Sequence, residues 1–143
     1  MSHNFFMRIA YADTDAGGVV YHARYLEIAE RARLEMLRDC DLLEMVTGIG
    51  GARNQGAAPD LDAVQLVVRR AEIDYRLPVR LDDLVLVQSR VIDWSGARFT
   101  LEQLIFVETQ LMVGLKVQLA TIDRSFRPQR IPELLRQRLG GSL

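Results

Sequence analysis

"YADTDAGGVVYHARYLEIAERARLEML", residues 11–37, changes character half-way along. Its first half lines up two acids, two adjacent glycines and an internal histidine. Its second half has the period of a helix. From about His22 to Cys40, the residues Tyr25, Ala29, Ala32, Met36 and Cys40 recur at steps of three and four, and Leu43 continues the series. Such spacing makes one core-facing stripe. Glu27, Arg31 and Glu35 stand four apart on another face, where opposite charges support a helix by about 0.2–0.5 kcal/mol per pair. Leu26, Ile28, Leu34 and Leu37 widen the apolar surface beyond the stripe, which predicts a helix enclosed on more than one side.

On the N-terminal side, residues 4–12 are short and mixed apolar and read as a first strand. On the C-terminal side, "TGIGGARNQGAAPD" (residues 47–60) is rich in glycine and small residues and reads as a loop. Beyond it the period becomes two. Ala71, Ile73, Tyr75 and Leu77 alternate with Glu72, Asp74 and Arg76, as in a half-buried strand. Val64, Leu66 and Val68 fall on the opposite parity, so a bulge near Arg69, or burial on both faces, is expected. Pro78 ends that strand. Residues 84–94 form another apolar run, and "DWSGAR" supplies a turn. Two further alternating runs follow, Phe99–Leu101–Ile105–Val107 and Val113–Leu115–Val117–Leu119, and "IPELLRQRLGG" closes as a short helix. Long neighbouring strands joined by tight turns favour an antiparallel sheet. One sheet with one long helix on its face, an α+β domain over residues 1–143, is the economical layered arrangement.

Composition narrows the function. The chain has 143 residues, enough for a core of its own, and 18 basic against 19 acidic side chains leave a formal charge of −1. That balance gives no global attraction to nucleic acid or to an anionic membrane, so an anionic ligand needs a local cluster. Cys40 is the sole cysteine, which excludes a disulfide within the chain and paired-cysteine metal sites. The N-terminus lacks the basic-then-apolar pattern of a signal peptide, and no run approaches the ~18 apolar residues of a spanning helix. A cytoplasmic protein without membrane insertion is expected.

The first half of the opening stretch has a plain reading as a polar turn whose glycines supply positive φ. A metal-binding reading of Asp13 and Asp15 wants more oxygen ligands than the neighbourhood offers. The chemical reading starts from the helix N-terminus. Val19, Val20, Tyr21 and His22 lead into it, and none is a Ser, Thr, Asp or Asn cap. Its amides are then available to a carbonyl oxygen that becomes an oxyanion, with the Asp15 carboxylate just upstream. A carboxylate and an oxyanion site on either side of a carbonyl carbon suit acyl transfer.

"DTDAGGVVYHARYLEIAERARLEML" resembles the motif of the 4-hydroxybenzoyl-CoA thioesterase-like hotdog family, most closely its Tol–Pal-associated acyl-CoA thioesterase branch. "LVVRRAEIDYRLPVRLDDLV" and "VQLATIDRSFRPQRIP" are similar in order and character, so the resemblance spans nearly the whole chain. It implies a hotdog fold, a long central helix wrapped by a curved antiparallel sheet. It also implies that Asp15 is catalytic, attacking the thioester or activating water, and that the backbone amide at His22 polarises the carbonyl. Gly18 and Tyr21 shape the same pocket, Asp13 is structural, and no cofactor is needed beyond the coenzyme A of the substrate. Arg98, Arg127 and Arg130 become candidates for the nucleotide phosphates, for which arginine forks are suited. Their plain reading is solvated surface. The expected substrate is a short-chain aliphatic or aromatic acyl-CoA, and the expected assembly is a homodimer or homotetramer paired through sheet edges. The alternative is a non-catalytic acyl-CoA or acyl-carrier-protein binding or interaction module on the same fold. "GIGGARNQGAAPDLDAVQ" departs from the family pattern and bears on acyl preference.

Overall fold

The computed structural model describes residues 1–47 and 64–140. The glycine-rich stretch expected to form a loop lies almost wholly outside the described residues. Strand β1 (His3–Arg8) leads through a single 3-10 turn (Tyr11–Asp13) to helix α1 (Arg24–Asp39) and short helix α2 (Leu43–Thr47). Strands β2 (Gln65–Tyr75), β3 (Leu84–Ser95), β4 (Arg98–Val107) and β5 (Gln110–Ile122) follow, then helix α3 (Glu133–Arg138). The strands form one antiparallel sheet in the order β1-β3-β4-β5-β2. Helix α1 packs on one face of it, as expected. No described helix is long and apolar enough to cross a membrane.

The alternation fixes which face is which. Phe99, Leu101 and Ile105 of β4 and Val113, Leu115, Val117 and Leu119 of β5 are buried against Tyr25, Ile28, Ala29, Ala32 and Met36 of α1. Ala29 and Ala32 are wholly buried, and their small side chains let the helix lie close on the sheet. The bulge expected near Arg69 is present as a register shift between Val68 and Arg70, with the Arg69 guanidinium donating to Gln118 Oε1 at 2.6 Å.

Three expectations are corrected. The first strand stops at Arg8 rather than residue 12, because the Asp13 carboxylate takes the Ala10 N–H and turns the chain. Helix α1 begins two residues later than His22, after a turn. It is also enclosed within the chain on its sheet side, while Leu26 and Leu34 remain exposed.

One inward position of β4 is polar. Gln103 is fully buried; its Nε2 donates to Ala29 O at 3.0 Å and to Ser89 Oγ at 2.9 Å, while its Oε1 accepts from Arg33 Nη1 at 3.0 Å. Burial pushes the Arg33 guanidinium below its ordinary pKa, and the nearby Glu30 carboxylate counters that push. The amide therefore ties helix to sheet through the buried Ala29 carbonyl and Ser89 hydroxyl and through the half-buried Arg33. Gln103→Ala strands Ser89 and Arg33 and opens a cavity, with an expected cost of about 2–4 kcal/mol in urea unfolding. An unchanged midpoint would show that the network contributes nothing net.

Candidate active site

The site is built on the short loop between the 3-10 turn and α1. Asp13 is its internal frame. Its Oδ2 accepts the Ala10 N–H at 2.9 Å, its carbonyl accepts the Tyr21 N–H at 3.0 Å, and it is nearly buried. Arg24, the first residue of α1, donates to Ala12 O at 2.6 Å, sits 3.6 Å from Asp13 Oδ1 and pairs with Glu27. A cation at a helix N-terminus opposes the macrodipole. Here it clamps the loop to the helix; sequence reasoning missed it, and a cation in the first helical turn is the signal that could have found it.

Asp15 stands on the exposed tip of the loop. Its N–H donates to Val19 O at 2.9 Å and its carbonyl accepts from Gly18 N at 3.1 Å. Asp15 Oδ1 accepts the Gly17 N–H at 2.8 Å, whereas Oδ2 has no hydrogen-bond partner among the described residues. The two glycines have different duties. A Cβ on Gly17 would stand 3.2 Å from Asp15 Oδ1, and Gly18 adopts φ +78°, which a side chain would strain. Bridges from Thr14 to Val20 and from Val19 to Arg80 stitch the loop to the chain ahead of β3. Asp15, Gly18, Tyr21 and His22 are thus held on one short stretch of chain.

Helix α1 starts with no side-chain cap on Ala23. Among the described residues the His22 N–H has no acceptor, while the His22 carbonyl accepts the Tyr75 hydroxyl at 2.8 Å. The His22 ring lies 4.4 Å from the Tyr21 ring, centroid to centroid, and makes no ion pair with a described carboxylate. Tyr75 also meets Tyr25 edge-on at 5.6 Å. Burial raises the Tyr25 hydroxyl pKa, and that hydroxyl accepts the Val79 N–H at 3.3 Å. Sequence reasoning placed Tyr75 only as a strand residue, since its link to the helix start spans 53 positions.

The arginines sit elsewhere. Arg98 opens β4, and Arg130 lines a polar cavity of about 460 Å³ with Trp94, Gly96, Ile131 and Arg136, whose guanidinium lies 5.7 Å from the Trp94 ring centre. Arg127 is on a turn organised by Asp123, whose Oδ1 accepts the Ser125 and Arg127 N–H groups. The Asp15 loop adjoins the start of β3 and this cluster its end. Twelve residues of strand separate them by roughly 35 Å at ~3.3 Å per residue. One chain does not bring Arg98, Arg127 or Arg130 to its own Asp15. A second, mostly apolar cleft of about 280 Å³ lies between α1 and the sheet, lined by Arg33, Leu34, Leu37, Leu66, Val68 and Phe99 among others.

With this geometry in place, comparison with known proteins is direct. Residues 9–139 match the thioesterase-like superfamily model. The acyl-CoA thioesterase YbgC of Haemophilus influenzae is 38% identical over 122 residues, covering 84% of this chain and 80% of that protein. The acyl-CoA thioester hydrolase YbgC of Escherichia coli O6:H1 is 33% identical over 129 residues, covering 89% and 87%. The crystal structure of "Probable Thioesterase from Bartonella henselae" superposes with a TM-score of 0.73 at 38% identity, covering 93% of this chain and 99% of that one. An antiparallel sheet backing one long helix, matched over nearly its full length, leaves one assignment: the chain belongs to the thioesterase-like superfamily and has its hotdog fold.

Proposed function

We propose that the chain hydrolyses the thioester of short-chain aliphatic or aromatic acyl-CoA, yielding the free acid and coenzyme A. The observation that carries this reading is the presence, on one hydrogen-bonded stretch of chain, of an Asp15 Oδ2 and a His22 N–H that have no partner among the described residues. The amide takes the carbonyl oxygen as it gains negative charge. Asp15 either adds to the carbonyl carbon or removes a proton from the water that does. Along the first route an Asp15 anhydride forms and water then cleaves it; along either route the thiolate leaves and takes up a proton. The relatives named acyl-CoA thioesterases support the substrate class. Free-thiol release from a panel of acyl-CoAs tests it. If the folded protein binds acyl-CoA and releases no thiol, it is a binding module instead.

We infer that pairing with a second copy closes the distance between Asp15 and the arginines. Strand β2 is an edge of the sheet, and its Tyr75 end holds the helix start. Its Gln65 end lies beside Ile122, next to the arginine-bearing segment. Antiparallel pairing of β2 with β2 of another chain lays the Gln65 end of one against the Tyr75 end of the other. The arginines and apolar cleft of one copy then face the Asp15 loop of its partner. Arg130→Ala is expected to raise KM for an acyl-CoA about tenfold with kcat little changed. KM for the matching N-acetylcysteamine thioester, which has no phosphates, stays as in wild type. Equal effects on both substrates would remove Arg130 from phosphate binding.

A further inference from the structure

The residue that offers the free N–H ahead of α1 is held on both sides. The peptide before it is fixed by its carbonyl, that of Tyr21, which accepts the Arg24 N–H at 2.8 Å. The peptide after it is fixed by the His22 carbonyl, which accepts the Tyr75 hydroxyl at 2.8 Å. The first turn of α1 leaves that carbonyl to Tyr75, because the Leu26 N–H turns to Ala23 O at 3.3 Å. Tyr75 is itself firmly placed. It ends β2 in register with Val113 of β5, and the Arg76 and Leu77 N–H groups that follow both donate to Met112 O at 3.0 Å. Its ring meets the ring of Tyr25 edge-on, and Tyr25 is buried in the core.

We propose that Tyr75 is a positioning residue for thioester hydrolysis: its hydroxyl fixes the His22 carbonyl and so aims the His22 N–H at the oxygen that becomes an oxyanion. This rests on the hydrolytic reading above and adds a residue to it. An N–H stabilises an oxyanion only when it already points to where the charge develops. A misplacement of about 1 Å can cost ~10²-fold in rate. Ahead of His22 the chain is tied by the Val20 N–H to Val79 O at 2.8 Å and by the Tyr21 N–H to Asp13 O at 3.0 Å. At the His22 carbonyl the tie comes from the sheet, 53 positions along the chain. Without it, the His22 backbone is free to turn between a fixed loop and the helix.

The two partners have different effects. The Arg24 N–H on the Tyr21 carbonyl polarises the peptide that carries the His22 N–H and strengthens it as a donor. The Tyr75 hydroxyl supplies direction. A bond kept for stability alone would have another setting. Tyr75 is 50% exposed, and a hydrogen bond that water can replace adds little net stability. The ring contact with Tyr25 needs no hydroxyl, so phenylalanine would preserve it. What the hydroxyl alone provides is the fixed orientation of the His22 backbone.

Tyr75→Phe removes the hydroxyl and keeps the ring. It is expected to lower kcat for an acyl-CoA about tenfold while KM stays within about twofold. Circular dichroism and the thermal midpoint should match wild type. The decisive comparison is a double-mutant cycle with His22→Pro, which has no N–H left to aim. There the further loss from Tyr75→Phe shrinks to nearly nothing, whereas a structural defect multiplies through both backgrounds. A second readout needs no turnover. Asp15→Asn is loaded with a thioester isotope-labelled at the carbonyl, and the infrared carbonyl stretch is compared with that of free substrate. A hydrogen bond to the carbonyl lowers the frequency, and adding Tyr75→Phe is expected to move it back toward the free value. Wild-type kcat in Tyr75→Phe, the same fold loss in the proline background, a rise in KM in place of the fall in kcat, unfolding of the variant, or an unmoved carbonyl band would each overturn the proposal. A wild type that binds acyl-CoA and releases no thiol removes the hydrolytic reading alone, and the carbonyl band then decides whether Tyr75 aims the amide.

Discussion

Asp15→Asn is expected to lower kcat for acyl-CoA hydrolysis by about three orders of magnitude while KM changes little. The amide keeps the shape of the carboxylate, and its oxygen can still accept the Gly17 N–H that fixes the loop. What it loses is the free charged oxygen. A positioned base alone contributes ~10²–10⁴-fold, and an amide is also a poor nucleophile toward a thioester. The loss therefore falls on the chemical step rather than on binding, which involves the remote nucleotide and acyl ends. Single-turnover thiol release at saturating substrate separates the two. Asp15→Asn with more than a tenth of wild-type kcat would remove Asp15 from the reaction. Asp13→Asn provides the contrast. Its carboxylate holds Ala10 and faces Arg24, so the expected consequence is lost thermal stability.

His22→Pro and His22→Ala are expected to part company. Proline removes the N–H that has no acceptor among the described residues, and with it the donor to the developing oxyanion. One such donor is worth ~2.7–4 kcal/mol, so kcat falls about 10²–10³-fold. Proline is tolerated near a helix start because that N–H has no helical partner to lose. Alanine keeps the amide and removes only the ring, which packs on Tyr21 and makes no ion pair with a described carboxylate. Its kcat should stay within about threefold of wild type. If alanine were as damaging as proline, the imidazole would be the essential group. Retention of the far-ultraviolet helix signal in both variants shows that α1 survives.

Much of the molecule is legible from neighbours along the chain. The three-and-four spacing of Tyr25, Ala29, Ala32 and Met36 reports the helix face that the sheet covers, because a helix repeats every 3.6 residues whatever lies around it. The alternation of Phe99, Leu101 and Ile105 reports the inner face of β4 for the same kind of reason. The loop glycines and the uncapped helix start are local too, so an upstream carboxylate and free helix amides stood out in the sequence, and the family resemblance put them on Asp15 and His22. Polar Gln103 sits on the inward parity of β4 but broke the apolar pattern, and its role appears only once Ala29, Ser89 and Arg33 surround it.

Other features depend on where distant segments meet, and no local spacing encodes that. The family resemblance marked Arg98, Arg127 and Arg130 as phosphate candidates, yet only the course of β3 puts them a strand length from Asp15. Tyr75 and Arg24 became parts of the site through contacts that the sheet and the turn before α1 bring about. Which side chains stand side by side across the sheet depends on cross-strand register, which the bulges at Arg69, after Val91 and after Ile105 shift by a residue each. Periodicity determined the elements of this protein, and the acids and glycines ahead of α1 marked the candidate loop. Register and strand order, which arise from non-local burial and hydrogen bonding, decided what those elements face.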